Sequence, residues 1–267
     1  MPYRLIESYD PEAIDDFRSL KGKGGHLTKG LFIAESERIA HKILASRFEV
    51  PKAFMTREQF DSLRALLEGR SDHTDIFIAP KAEMEQIIGY HLHQGVMLAV
   101  RIPANRTLSE VASHWPEPFL AAALDGITDA ENMGAIIRTA AAFGAQAIIV
   151  DGQSCNPYLR RSVRVSMGKI VDIEIVRVPD LAGALSHVRS ERPCRIIGAA
   201  LANESLSLDE VERQGSVILV FGSEGWGLRR EVMDACDLLV RIPMNANVDS
   251  LNVAIASGIF LHEFSRH

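Results

Sequence analysis

Three short polar segments hold the side chains most able to do chemistry, and each follows an apolar run. "DGITDAENMGAIIR" carries Asn132 and Arg138, "FGSEGWGL" carries Gly222 and Glu224, and "IPMNANVDSLN" carries Ser250 and Asn252. Ligands of an open parallel sheet bind beyond the carboxyl ends of its strands, so loops of this kind are expected to gather at one shared site. The residue types limit what that site does. "GSEGWG" spaces its glycines as G-x-x-G-x-G, the reverse of the dinucleotide fingerprint, and no Lys-Ser or Lys-Thr follows to make a phosphate loop. Phe221 stands where a nucleophile elbow around Ser223 needs its first glycine, and the nine His are scattered, which disfavours hydrolase chemistry. The polar side chains named are two amides, one carboxylate, one guanidinium and one hydroxyl. Taken singly, each segment also has a plainer reading. Asn132 suits a helix cap or turn, Gly134 close helix packing and Arg138 a surface ion pair; Gly222, Gly225 and Gly227 suit a turn, and Ser250 suits the cap of the last helix.

The elements that position these segments follow from the apolar pattern. "PFLAAALDGI" and "QAIIVDG" are apolar on both faces, and "KIVDIEIVRV", "RIIGAAL", "SVILVFG" and "DLLVRIPM" continue as strands alternating with helical stretches such as "AENMGAIIRTAAA", "DLAGALSHVRS" and "RREVMDAC". That alternation predicts a parallel sheet covered by helices. Before it, "ESERIAHKILAS" and "AEMEQIIGY" read as helices, and "VPKAFMT", "TDIFIAP" and "QGVMLAVRIP" as strands of a small α/β domain. The expected organisation is a front domain over residues 1–103, a linker over 104–117 marked by prolines and no sustained period, and a second domain over 118–267.

Composition bounds the rest. The 267 residues are 47% apolar and supply a full core. Cys155, Cys194 and Cys236 are widely spaced, with no Cys-x-x-Cys pair, so neither a disulfide framework nor a metal site is expected. The acidic start "MPYRLIESYDPEAIDDF" lacks the basic and apolar regions of a signal peptide, and no run is long enough for a membrane span; a cytoplasmic protein is expected. A net charge of -6 argues against non-specific coating of nucleic acid, yet two local basic runs stand out. "SLKGKGGHLTKG" holds Lys21, Lys23 and Lys29, and "YLRRSVRVSMGK" holds Arg160, Arg161, Arg164 and Lys169. Either run also reads as a solvated surface.

In this order and spacing the three segments resemble the motifs of the SpoU (TrmH-like) branch of the SPOUT RNA methyltransferases. "NMGAIIRTA" is similar to its first motif, N-x-G-x-x-x-R, "FGSEGWGL" to the second, G-x-E-x-x-G, and "IPMNANVDSLNVAIA" to the third, I-P-M followed by S-L-N. "GLFIAESERIAHKIL" and "QGVMLAV" look like the L30e-like RNA-binding domain often attached in front. Two positions depart from the pattern: Ala130 stands where many members have Pro, and Ala246 where they have Gly, a residue with more backbone freedom.

The resemblance implies a parallel-sheet domain whose carboxyl-terminal segment threads into a trefoil knot, and transfer of a methyl group from S-adenosylmethionine to a ribose 2′-hydroxyl of tRNA or rRNA, with no metal. Gly222, Val220, Ile242, Met244, Leu251 and Asn252 then stand where members hold the cofactor, and Arg138, Asn132, Glu224, Ser250 and Asn252 where they act on the ribose. Arg138 is placed at the hydroxyl as base or clamp, and a guanidinium with a pKa above about 12 suits the clamp better. Asn132 and Ser250 would orient the ribose or Arg138, and Glu224 would hold Arg138 or a loop amide. A 2′-hydroxyl substrate means structured RNA and not DNA, met by Arg160, Arg161, Arg164, Lys21, Lys23 and Lys29. The resemblance also implies a homodimer whose site is completed across the interface, with "LNVAIASGIFLHEF" offering an apolar stripe. Two other readings stay open: a non-catalytic RNA-binding protein that keeps the fold, and an α/β enzyme using another nucleotide.

Overall fold

The computed structural model describes residues 2–9, 11–18, 25–245 and 250–265. Two compact units emerge, Met1–Ala104 with Tyr158–Val171, and Asn105–Pro157 with Asp172–His267.

The first unit is built on a five-stranded mixed sheet of β1 (Tyr3–Ile6), β2 (Leu31–Glu35), β3 (Lys52–Met55), β4 (Thr74–Ile78) and β5 (Val96–Arg101), in the order β1-β4-β3-β5-β2. β5 runs antiparallel to both neighbours and the remaining pairs are parallel. All five residues of β2 are buried, so helices must cover both faces. Helix Glu37–Leu44 turns Ile39, Ala40, Ile43 and Leu44 inward, and helix Arg57–Glu68 begins where the Thr56 side chain accepts the Gln59 amide. Charges in this unit are spent on each other. Asp16 accepts from Lys29 and Lys52 at 2.8 and 2.7 Å, and Arg70 bridges Asp72 and the Leu44 carbonyl at 2.7 Å each.

Tyr158–Val171 belongs to this unit, which corrects the expectation that it is part of the second domain. The reason is apolar packing: the Tyr158 ring lies 5.2 Å from Phe32, and Val163 and Ile170 are fully buried. Arg160 closes the arrangement, donating to the buried Glu35 at 3.2 Å with its guanidinium 4.3 Å from the Tyr90 ring centre.

The second unit carries a seven-stranded, wholly parallel sheet. Its strands are β6 (Leu120–Asp125), β7 (Ala147–Val150), β8 (Glu174–Arg177), β9 (Arg195–Ala199), β10 (Leu206–Ser207), β11 (Val217–Gly222) and β12 (Leu238–Arg241), in the order β10-β12-β9-β11-β6-β7-β8. Alternate residues of the central strands serve opposite faces. Ala121, Ala123, Ile218 and Val220 pack under Leu185 of helix Leu181–Glu191 and Val232 of helix Arg230–Ala235. On the other face Phe221 meets Phe260 of helix Val253–Phe264, ring centres 5.8 Å apart. From β6 the chain steps outward to β7 and β8, then crosses to β9 on the far side of β11. The carboxyl ends of β6 and β11 therefore flank the reversal of strand order, where a doubly wound sheet leaves its crevice.

The expected linker over 104–117 is instead part of this unit. A capping box between Thr107 and Glu110 starts helix Leu108–Ala112, and Leu108, Val111 and Trp115 are buried in the core. Arg192 donates to the carbonyls of Ala112 and Trp115, and the Asn105 side chain pairs with the Arg177 backbone at 2.9 Å in both directions.

Candidate active site

Each motif segment leaves the carboxyl end of its strand in a way that fixes one polar side chain. β6 ends at Asp125, Gly126 turns with φ +70°, and Asp129 caps helix Ala130–Ala142 by accepting from the Glu131 and Asn132 amides. Asn132 is thus not the cap; its side chain is left to reach outward. β11 ends at Gly222, where a Cβ would lie 2.2 Å from the Gly227 backbone, so only glycine fits. The next residues close a tight turn through paired backbone bonds between Ser223 and Gly227, 3.1 and 2.9 Å, which holds Glu224. In the third segment Asn252, not Ser250, caps helix Val253–Phe264, its Oδ1 accepting from the Ala254 and Ile255 amides at 3.0 and 3.2 Å.

These three side chains meet. Asn132 Nδ2 donates to Glu224 Oε1 at 3.1 Å, Asn252 Nδ2 donates to Asn132 Oδ1 at 2.9 Å, and Asn252 Nδ2 also reaches the same Glu224 oxygen. Because the Asn252 oxygen is committed to the helix amides, its nitrogen must face the carboxylate. The two capping bonds therefore set the polarity of the whole cluster. Glu224 holds two amides, where the resemblance offered Arg138 or a loop amide.

Two cavities border the cluster, and Glu224 and the Ser223–Gly227 turn line both. The first, about 240 Å³, lies against Gly222, Ile242, Met244, Ser250 and Leu251, with Phe260 beneath, and Glu224 is the one carboxylate among its described lining residues. The second, about 500 Å³, opens between Gly126, Asn132, Gln153 and Trp226. Val220, expected at the cofactor, is fully buried in the sheet core: it falls on the face under Val232, and Phe221 and Gly222 line the first cavity in its place.

Beneath the second cavity lies a charged support that sequence reasoning missed. Arg229 donates to Asp125 through its backbone amide at 2.8 Å and its Nε at 2.6 Å, and to Asp151 at 3.1 Å. Both carboxylates are 1% exposed. Asp151 also accepts from the amides of Gly126, Gln153 and Ser154, tying the loops after β6, β7 and β11 together. A signal was present: the apolar runs of β6 and β7 both lead into Asp-Gly, at Asp125-Gly126 and Asp151-Gly152.

Other expected site residues lie apart from the cluster. Arg138 is exposed on helix Ala130–Ala142, bonds no described residue and lines neither cavity. Arg160 and Lys29 are engaged in ion pairs within the first unit, whereas Arg161 and Arg164 are exposed beside Arg160. Lys21, Lys23 and Ala246 lie outside the described residues, and Ala130 is the first residue of its helix. Burial pushes the Cys155 and Cys194 thiols up to about 11 and Cys236 to about 12, so none is a thiolate nucleophile at neutral pH.

Fold and site together define an α/β protein with a ligand site at the reversal of a parallel sheet, of the kind found in SPOUT methyltransferase structures. The chain belongs to the SpoU rRNA Methylase family, whose model matches residues 120–262. It is 34% identical over 191 residues to the 23S rRNA (guanosine-2'-O-)-methyltransferase RlmB of Acinetobacter baylyi, covering 70% of this chain and 77% of that one. Among solved structures it resembles the AdoMet-bound rRNA methyltransferase from Sinorhizobium meliloti, with TM-score 0.83 and 27% identity over 100% of this chain and 99% of that one. It also resembles the SpoU methyltransferase AviRb from Streptomyces viridochromogenes in complex with AdoMet, with TM-score 0.82 and 25% identity over 95% and 97% of the two chains.

Proposed function

We propose that this protein transfers a methyl group from S-adenosylmethionine to a ribose 2′-hydroxyl of structured rRNA or tRNA in the cytoplasm. The observation that carries this reading is the Asn132–Glu224–Asn252 cluster at the rim of the cavity lined by Gly222, Ile242, Met244 and Leu251. The lining suits that cofactor: apolar side chains for an adenine ring, backbone at Gly222 where no Cβ fits, and the Glu224 carboxylate for a cationic sulfur. Bound there, S-adenosylmethionine supplies an electrophilic sulfonium methyl.

The chain's own residues then have positional and electrostatic work. Asn132, held by Glu224, orients the ribose so that its 2′-oxygen faces the methyl group. Arg138 stabilises the developing alkoxide or clamps the adjacent phosphate. It lines neither cavity of its own chain, so we place it at the site of a second copy in a homodimer. Ile255, 57% exposed on the helix that Asn252 caps, gives that dimer an apolar contact. A threaded carboxyl-terminal segment belongs to the same reading, in which Asn252 joins the segments after β6 and β11 and the helix it caps packs on Phe221. The five-stranded front unit would act as the L30e-like RNA-binding domain, with Arg161 and Arg164 as phosphate contacts.

Calorimetric titration tests the reading. S-adenosylhomocysteine is expected to bind the full chain and mononucleotides are not. A preference for a mononucleotide assigns the cavity to another nucleotide enzyme, and binding of neither leaves an RNA-binding protein that kept the fold.

A further inference from the structure

Trp226 is 94% exposed, the most exposed of the large apolar side chains among the described residues. An indole left in water forgoes a large burial gain, and this one is not on a loose loop. The Ser223–Gly227 backbone pair closes the turn beneath it, its own amide donates to Ser223 Oγ at 3.2 Å, and Gly222 is wedged against Gly227. Beyond its two chain neighbours, a Cβ added at Gly225 would meet nothing within 4 Å, so the turn next to Trp226 faces open space. A rigid backbone thus presents an aromatic face at the mouth of the 500 Å³ cavity.

The rest of that cavity says what the face receives. Its walls include the carboxylates of Asp129 and Glu224, and the one cation among its described lining residues, Arg229, is spent on Asp125 and Asp151. A phosphate would be repelled there. Gln153 and Thr128 are exposed, and the Gln153 side-chain amide and the Thr128 hydroxyl bond no described residue. Neutral hydrogen-bonding edges beside an open aromatic plane suit a flat, uncharged heterocycle, and this is how proteins take unstacked bases of single-stranded RNA.

We infer that Trp226 is a positioning residue that stacks on an unpaired nucleobase of the RNA substrate and seats it in the cavity floored by Arg229, with Gln153 and Thr128 at the base edge. The inference rests on the methyltransferase reading for its purpose: a base held here fixes its attached ribose beside Asn132, which lines the same cavity.

Indole fluorescence tests it, because the second tryptophan, Trp115, is 7% exposed in the core. The full chain, saturated with S-adenosylhomocysteine, is titrated with single-stranded polyadenylate and with an abasic ribose-phosphate oligomer of equal length. We expect quenching by polyadenylate and not by the abasic oligomer, loss of the signal with retained affinity in Trp226→Phe, and affinity weakened about ten-fold in Trp226→Ala. Cofactor binding, measured by calorimetry, should be unchanged in both variants, which shows that they are folded. Equal quenching by the abasic oligomer, or wild-type RNA affinity in Trp226→Ala, overturns the inference. A change of sedimentation mass in Trp226→Ala with RNA affinity intact also overturns it and reassigns the indole to a contact between copies. Quenching without any binding of S-adenosylhomocysteine keeps the stacked base and removes the methyltransferase reading.

Discussion

The front unit and the loop cluster of the parallel sheet use polar side chains in opposite ways. In the front unit opposite charges are brought together and consumed: Asp16 by Lys29 and Lys52, Asp72 by Arg70, Glu35 by Arg160. At the rim of the loop cluster Glu224 is held by the neutral amides of Asn132 and Asn252 and by no described cation, while Trp226 on the neighbouring turn and Arg138 on the following helix are left exposed. Charge density in the sequence is therefore a poor guide to the site. Each basic run gives up one described member, Lys29 or Arg160, to an ion pair within its own unit, and the polar cluster gathers where the sequence shows asparagines and glycines.

The one place where the loop cluster behaves like the front unit is its floor, and breaking it should have the largest effect. Arg229→Ala leaves two carboxylates, each 1% exposed, without their cation. We expect a stability loss of about 3–5 kcal/mol by urea unfolding. A loss under about 1 kcal/mol would make Arg229 an ordinary surface residue.

Within the cluster the expected effects are on turnover. Glu224→Ala frees both amides and should lower methyl transfer about 10²-fold, the scale of a small misplacement of reacting groups. Arg138→Ala should cost a similar factor while leaving S-adenosylhomocysteine affinity nearly intact. If Arg138 serves the site of a second copy, mixing these two inactive variants restores about a quarter of wild-type turnover, since half the dimers are mixed and each has one intact site. No restoration on mixing would return Arg138 to its own chain's site.

In the front unit the comparison is sharpened by pH. Burial alone would raise the Asp16 carboxyl, but hydrogen bonds and charge from Lys29 and Lys52 outweigh it and hold the group below its ordinary value. Its stabilising contribution is fully present above the unfolded carboxylate pKa and is lost as pH falls through the depressed folded one. Thermal unfolding should show an acid-side loss of stability that is shallower in Asp16→Asn. An unchanged acid limb would mean that the pair adds nothing.

The smallest effect concerns the basic run. Arg164 is exposed and bonds no described residue, whereas Arg160 is held by Glu35 and Tyr90. Arg164→Ala should weaken RNA binding a few-fold and lower the salt slope by about 1, and Arg160→Ala should mainly destabilise. The reverse pattern would show that the run reads RNA through Arg160.

How much of this was legible in the sequence follows from the range of the interactions. The continuous apolar runs of β6 and β11 announced buried parallel strands because both faces of such strands are covered. Asn132, Glu224 and Asn252 were legible only as members of spaced motifs; nothing local to any one of them requires the other two. The helix within the expected linker carried a local signal, the T-x-x-E capping box of Thr107 and Glu110, outweighed by the neighbouring prolines. The placement of Tyr158–Val171 carried none, because its partners Phe32, Glu35 and Tyr90 lie 68 or more positions away in the chain. Arg229 was hidden likewise: its carboxylates belong to two other segments, and only the repeated Asp-Gly after an apolar strand hinted at them.

The most direct measurement of the central claim is the fate of a labelled methyl group. RNA from cells lacking the gene is incubated with the protein and methyl-labelled S-adenosylmethionine, then hydrolysed completely in alkali. A methylated 2′-oxygen cannot attack the neighbouring phosphate, so the account predicts label in alkali-resistant dinucleotides, lost in Glu224→Ala. Label recovered in mononucleotides would place the methyl on a base, and no label in RNA would remove the transferase reading altogether.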